Sequence, residues 1–147
     1  MTDRRAQLLA DEDAAWIEFH DLIDRVRLDL LDDPTLPEGW TVNDLAFHVG
    51  AWLADAGDEL ERIAAGTFVR NDETSDRQNE EWLELSRTLD AETCRAQLES
   101  GRIQMLRCFT ELPELTPDAI EWFEESGALH YRAHLQDLRA WLDEHGL

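Results

Sequence analysis

Residues 130–142 read HYRAHLQDLRAWL, with two histidines four positions apart in a strongly helical stretch. At about 100° per residue, His130 and His134 fall within about 40° of one another on a helix. Phe123, Leu138 and Trp141 share that face. A third histidine, His48, follows Leu45 by three positions and precedes Trp52 by four, at the edge of another apolar helical arc. Imidazoles one turn apart can share a metal ion, and a third from a neighbouring helix makes a ligand set with a coordination position to spare. The same spacing suits core histidines, each with one hydrogen-bonded ring nitrogen. Buried imidazoles without a metal need polar partners, and these apolar faces supply few. Spacing alone leaves both readings standing.

Other polar residues lie near those faces. Asp137 comes three positions after His134 and seven after His130, so its carboxylate could accept the distal N–H of a ligand imidazole and fix its tautomer. A solvated aspartate at the edge of the stripe is the alternative. Asp55, seven after His48, is a weaker candidate of the same kind. Trp52 and Tyr131 border the histidines and are either pocket lining or bundle core. His20 sits beside the apolar stripe of the first helix, and His145 at the C-terminal end is expected to be solvated.

The elements that must hold these residues are helices. Gly and Pro total eleven and cluster at a few places, and strand patterns are nearly absent. Trp16, Phe19, Ile23, Val26 and Leu30 form one stripe, which predicts a first helix over 3–31. DDPTLPEG breaks it. Thr41 is a good N-cap for a second helix, with Asp44 in its first turn, a buried face of Leu45, Val49, Trp52, Ala56, Leu60 and Ile63, and Gly66 as its stop. TFVRNDETSDR reads as a loop, followed by a third helical region interrupted near Asp90, which can cap a restart. Thr116-Pro117 opens a last helix running to about 144, with Ser126-Gly127 a point of irregularity. Four long amphipathic helices make a four-helix bundle, a single all-α domain over 1–147.

Composition limits the partners. The 147 residues carry a net charge of −21, and all thirteen basic residues are arginine. Such a surface repels phosphate backbones and anionic headgroups, so neither nucleic acid nor membrane is an expected partner. No run approaches the roughly 18 apolar residues of a membrane span, and MTDRRAQLLADEDAAW has no signal-like apolar core, so the protein is expected to be soluble and cytoplasmic. Cys94 and Cys108, about 21 Å apart along one helix, are expected to be buried thiols rather than a disulfide.

GWTVNDLAFHVGAW, residues 39–52, resembles the Trp-Ser/Thr-Val-x-Asp-Leu-x-x-His-(hydrophobic)-x-x-Trp signature of the DinB-like superfamily. HYRAHLQDLRAWL resembles the last-helix signature of the same group. The segment from Gln78 to Pro113, with Asn79 near its start, is similar to its third-helix region. The resemblance runs through essentially the whole chain. It implies an up-down-down-up four-helix bundle with a long crossover between helices two and three, and a metal held by His48, His130 and His134.

Three imidazoles suit a divalent transition metal, Zn²⁺ by default with Ni²⁺, Fe²⁺ or Cu²⁺ as alternatives. The superfamily includes thiol-dependent enzymes such as mycothiol-dependent maleylpyruvate isomerase. The resemblance therefore implies a low-molecular-weight thiol, mycothiol or bacillithiol, activated as thiolate against a small electrophile. The alternatives are a metal hydrolase using bound hydroxide and a metal-containing protein that sequesters a small molecule without turnover. Arg70 and Arg77 could pair with a thiol's carboxylate, or with surface acids. Six tryptophans in a chain this short leave apolar surface for a homodimer.

Overall fold

The computed structural model describes residues 3–31, 33–34, 36–71 and 75–147. Asp32 and Thr35 of the first break, and Asp72, Glu73 and Thr74 of the polar loop, lie outside the described residues. Among those described, all regular structure is helical: α1 (Arg4–Asp24), α2 (Val42–Ala65), α3 (Asp76–Ser86), α4 (Ala91–Glu111), α5 (Pro117–Ser126) and α6 (Ala128–Glu144). The all-α bundle read from periodicity is present. The expected third helix is α3 and α4 together, and the expected last helix is α5 and α6.

Local chemistry sets most of these boundaries. The Thr41 hydroxyl accepts from the Asp44 N–H while the Asp44 carboxylate accepts from the Thr41 N–H, both at 3.0 Å, a reciprocal cap that starts α2. Gly66 closes α2 in the left-handed region, at φ 73°. Asp90 accepts from the Thr93 N–H at 2.8 Å and starts α4. Thr116 caps α5 with Pro117 behind it, and the chain leaves helical geometry at Gly127 before α6 begins.

The first helix departs from expectation. It stops at Asp24 rather than near 31, and the chain turns through a short 3-10 segment, Leu28–Leu30. No proline or glycine marks that stop. Seven further helical residues would project about 10 Å along the axis, whereas the turn lets Val26, buried in the core, and Leu30 and Leu31 pack against the end of the bundle.

The most extensive helix contact is between α2 and α4. A Cβ on Gly101 would lie 2.3 Å from the Gly50 carbonyl oxygen, and one on Gly50 would lie 2.6 Å from the Gln97 and Leu98 backbone. The two backbones therefore touch. Contacts ascend together along the pair, from Gly50 with Gln97 through Asp58 with Gln104 to Glu61 with Cys108, so α2 and α4 run parallel. Asp11–Arg132 and Glu18–Arg139 likewise ascend between α1 and α6. Glu12–Arg102 and His20–Glu99 descend between α1 and α4, which are antiparallel.

One large cluster, including Phe19, Leu53, Leu60, Leu98, Met105 and Phe109, forms the core. Cys94 joins Phe47 and Ala51 in a smaller cluster against Trp82 and Leu89, and both cysteines are buried thiols outside any disulfide, as expected. A buried ion pair ties three helices together. The Arg102 guanidinium donates to both oxygens of Glu12, at 2.8 and 2.9 Å, and the Tyr131 hydroxyl donates to Glu12 Oε1 at 3.0 Å.

Gly101→Ala tests the α2–α4 contact. Alanine's better helix propensity favours the variant by about 1 kcal/mol, but the added methyl meets backbone that no rotamer can move. The expected result is a net loss of about 1–3 kcal/mol in urea unfolding; a stabilised variant would show that the helices can separate without cost.

Candidate metal centre

His48 lies in the second turn of α2, and His130 and His134 lie in the first two turns of α6. Their Nε2 atoms converge. His48 Nε2 is 3.1 Å from His130 Nε2, which is 3.1 Å from His134 Nε2, and the three ligand atoms all fall within 4.8 Å of one another. Two nitrogens each about 2.0–2.1 Å from one tetrahedral ion would lie about 3.3 Å apart. The residues therefore fit a metal bound by three imidazoles.

Their electrostatics point the same way. Burial, and then neighbouring His134, lowers His48 to about 4. Burial and the other two imidazoles hold His130 well below the ordinary histidine range. Burial also lowers His134, opposed by the Asp137 charge. At neutral pH all three rings are uncharged, the form in which an imidazole offers a lone pair to a metal.

The surrounding structure fixes the rings unevenly. His130 donates to the Ser126 backbone carbonyl. The break at Gly127 leaves that carbonyl available, and a Cβ at Gly127 would lie 2.8 Å from the Phe123 carbonyl oxygen. The edge of Trp40 packs on His48, with ring centres 4.9 Å apart and planes at 70°. His48 Nδ1, however, is buried with no hydrogen-bond partner among the described residues.

Two cavities flank the cluster. The larger, of about 460 Å³, is lined by His48 and His130 together with Trp52, Phe68, Asn79 and Trp122 among others. Trp52 donates its indole N–H to Asn79 Oδ1 at 2.8 Å and meets Trp82 edge-on, which joins α3 to α2 along the cavity wall. The smaller, of about 230 Å³, is lined by Leu36, Pro37, Glu38, Trp40, Leu45, His134 and Asp137.

The candidates from the sequence separate accordingly. Trp52 lines the larger cavity. Tyr131 does not; its ring is fully buried between Trp16 and Phe19 and its hydroxyl is bound to Glu12, so it belongs to the core. Asp137 is exposed and borders His134 across the smaller cavity, and no hydrogen bond joins it to an imidazole among the described residues. Asp55 is half-buried, its pKa raised first by burial and then by Glu59 and Asp58, and it lines neither cavity. His20 lies elsewhere, in an ion-pair cluster with Asp24, Glu99 and Arg95. His145 is not solvated as expected; it stacks on Trp141 at 4.0 Å and bonds that residue's carbonyl. Arg77 pairs with Glu81 on the surface, and Arg70 is held by Asp118 and Glu121 at the cavity wall. The roles of Trp40 and Ser126 were missed in the sequence. Trp40 stands inside the quoted signature directly before the Thr41 cap, which is the one signal that could have pointed to it.

A fold and cluster of this kind define a helical-bundle protein with a three-histidine site. The family model described as the mycothiol maleylpyruvate isomerase N-terminal domain matches residues 13–145, and the chain belongs to that family, within the DinB-like superfamily. Among solved structures, a crystal structure of an uncharacterised protein from Escherichia coli UTI89 is similar in fold, with a TM-score of 0.81 at 15% identity over 97% of this chain and 95% of that one. No curated protein sequence matches the chain significantly.

Two outcomes follow from this geometry. An unfolded histidine titrates near 6.5 and native His48 near 4, so between those values the unfolded state binds more protons and the metal-free protein loses stability as the pH falls. From pH 7 to pH 5 His48 alone should cost about 2 kcal/mol. Urea midpoints of chelated protein should fall further in wild type than in His48→Gln, and equal losses would show that His48 titrates normally. Asp137→Asn, removing charge but no hydrogen bond, should leave metal affinity well short of the roughly 10–100-fold loss that follows removal of a bonded partner; a chelator competition assay measures it.

Proposed function

We propose that the protein is a metal-dependent transferase or isomerase in which His48, His130 and His134 hold one divalent transition metal, Zn²⁺ by default, and a low-molecular-weight thiol of the mycothiol type attacks a small electrophile. The observation that carries this reading is the convergence of three neutral imidazoles, with the His48 and His134 Nε2 atoms each 3.1 Å from that of His130, beside a cavity large enough for a small organic molecule. The family's own name, with mycothiol and an isomerase in it, supports a thiol as co-substrate and isomerisation as a class of reaction.

A bound metal would supply Lewis acidity, lowering a thiol's pKa so that it reacts as the thiolate. The chain's residues do the rest. Ser126, through its carbonyl, keeps the His130 ring nitrogen protonated on the side away from the cluster and leaves Nε2 as a donor of its lone pair. Trp40 keeps the His48 ring from rotating. Trp52, Phe68 and Trp122 give the cavity apolar faces against which the body of a small electrophile can pack. In an addition, the sulfur–carbon bond forms, the thiol proton ends on the electrophile, and for an isomerisation the same bond later breaks to release the thiol.

Reconstituted protein is expected to bind about one equivalent of Zn²⁺ per chain, and His130→Ala to lose it while retaining helical circular dichroism. Calorimetric titration with mycothiol should show binding to the metal-loaded protein and none to the chelated protein. Absence of metal after reconstitution would refute the site; a metal without thiol binding would favour hydrolysis or sequestration instead.

A further inference from the structure

The charged groups around the cluster bear on which molecules can reach it. Among the described residues, the larger cavity has one guanidinium in its wall, Arg70, and two carboxylates, Glu121 and Glu125. The guanidinium is committed: it donates to Asp118 Oδ1 at 3.0 Å and to both oxygens of Glu121, at 3.1 and 3.0 Å. A bidentate partner and a second carboxylate use the planar donors that a ligand carboxylate would need. Glu125 stands exposed in the same wall with no cation beside it among the described residues.

The opposite approach is no more favourable to an anion. The smaller cavity at His134 has Glu38 and Asp137 as its charged groups among the described residues. A ligand arriving from either side therefore meets carboxylates, and the net charge of −21 adds a field of the same sign. A bound metal would draw anions to its own open position, but the walls act on whatever part of the ligand extends along the cavity. The larger cavity's wall also holds uncharged groups: Trp52, Phe68 and Trp122 are aromatic, Ser75 carries a hydroxyl, and Asn79, whose oxygen accepts from Trp52, carries an amide.

We infer that the cavity is a charge filter, which admits co-substrates recognised through uncharged or cationic groups and turns away those that carry carboxylates. This rests on the metal–thiol reading and narrows it, since it excludes carboxylate-bearing thiols and electrophiles, the maleylpyruvate of the family's name among them, in favour of hydroxyl-, amide- or amine-bearing ones.

Three thiols of matched size test it by calorimetry on the full-length, Zn²⁺-loaded protein: 3-mercaptopropanamide, 3-mercaptopropionate and 3-aminopropanethiol, with affinities corrected for each thiol's ionisation. At low ionic strength the amide and the amine should bind at least about fivefold more tightly than the carboxylate, and added salt should shrink the gap. Glu121→Gln combined with Glu125→Gln frees one arm of Arg70 and removes a second charge. That variant should bring the carboxylate to within about twofold of the amide, at unchanged metal content and melting temperature. A carboxylate thiol that binds wild type as tightly as the amide, or a ratio the double variant leaves unmoved, overturns the filter alone. Binding by none of the three overturns the metal–thiol reading and the filter with it.

Discussion

The backbone contact between Gly50 and Gly101 is the constraint on which the rest of the structure depends. With a would-be Cβ of Gly101 only 2.3 Å from the Gly50 carbonyl, α2 and α4 approach as closely as two helices can at that point. His48 precedes Gly50 by two positions, so the contact fixes where its ring can start. Arg102 follows Gly101 and carries the guanidinium that binds Glu12 of α1, whose carboxylate also accepts from Tyr131 of α6. Tyr131 in turn is the neighbour of His130. A short chain of contacts thus leads from two glycines to the placement of imidazoles on two different helices. The parallel run of α2 and α4 also obliges the intervening chain to travel back along the bundle, and α3 on that return carries Asn79 to the cavity wall and Trp82 against Trp52.

Around the cluster the structure accepts local costs. Three neutral imidazoles converge, with the His48 and His134 Nε2 atoms each 3.1 Å from that of His130, and His48 Nδ1 is buried without a partner among the described residues. An unsatisfied buried nitrogen costs on the order of 1–3 kcal/mol. The Glu12–Arg102–Tyr131 network is the contrasting case, a buried charge with both oxygens bound and its partner stacked on Trp16 at 4.7 Å. Buried ion pairs contribute little net stability, yet removing one partner typically costs about 3–5 kcal/mol. The network therefore serves to fix which faces of α1, α4 and α6 meet, and it holds that geometry against the unfavourable packing of the imidazoles. Local rules broken at one place and satisfied strictly beside it are what a site imposed on a stable scaffold looks like.

Most of the helices were legible because their ends carry short-range chemistry. The Thr41–Asp44 box, the Asp90 cap, Thr116-Pro117 and Gly66 act within a turn of themselves, so the residues that decide each boundary lie next to it. The break at Ser126-Gly127 was legible for the same reason. The end of α1 was not, because it is set by Val26, Leu30 and Leu31 reaching the core rather than by any breaker at Asp24. The three histidines could be placed on inward faces from their spacing, and the signature joined them into one set. Tyr131 and Asp137 mark the limit of that reasoning. Helical phase places a residue to within a third of a turn, which does not separate the Tyr131 ring, turned into the core beside Glu12, from a ring facing a cavity, or an exposed Asp137 from one bonded to His134. Trp40 and Ser126 act through an aromatic edge and a main-chain oxygen, for which a sequence has no distinguishing letter.

The fold belongs to the family, but the charges around the histidine cluster come from residues that the fold does not require. Arg70 shows the difference. In sequence it is a cation in a loop between helices two and three, available to a carboxylate; in the structure two carboxylates of α5 have already taken it. The charge a ligand meets depends on that pairing and not on the count of arginines in the segment. Specificity can therefore change among chains that keep the bundle and the histidines, through single exchanges at the cavity wall that leave core packing intact. A chain with no lysine and an excess of acids has few cations to spare for such a wall, and the committed guanidinium is the local form of that shortage.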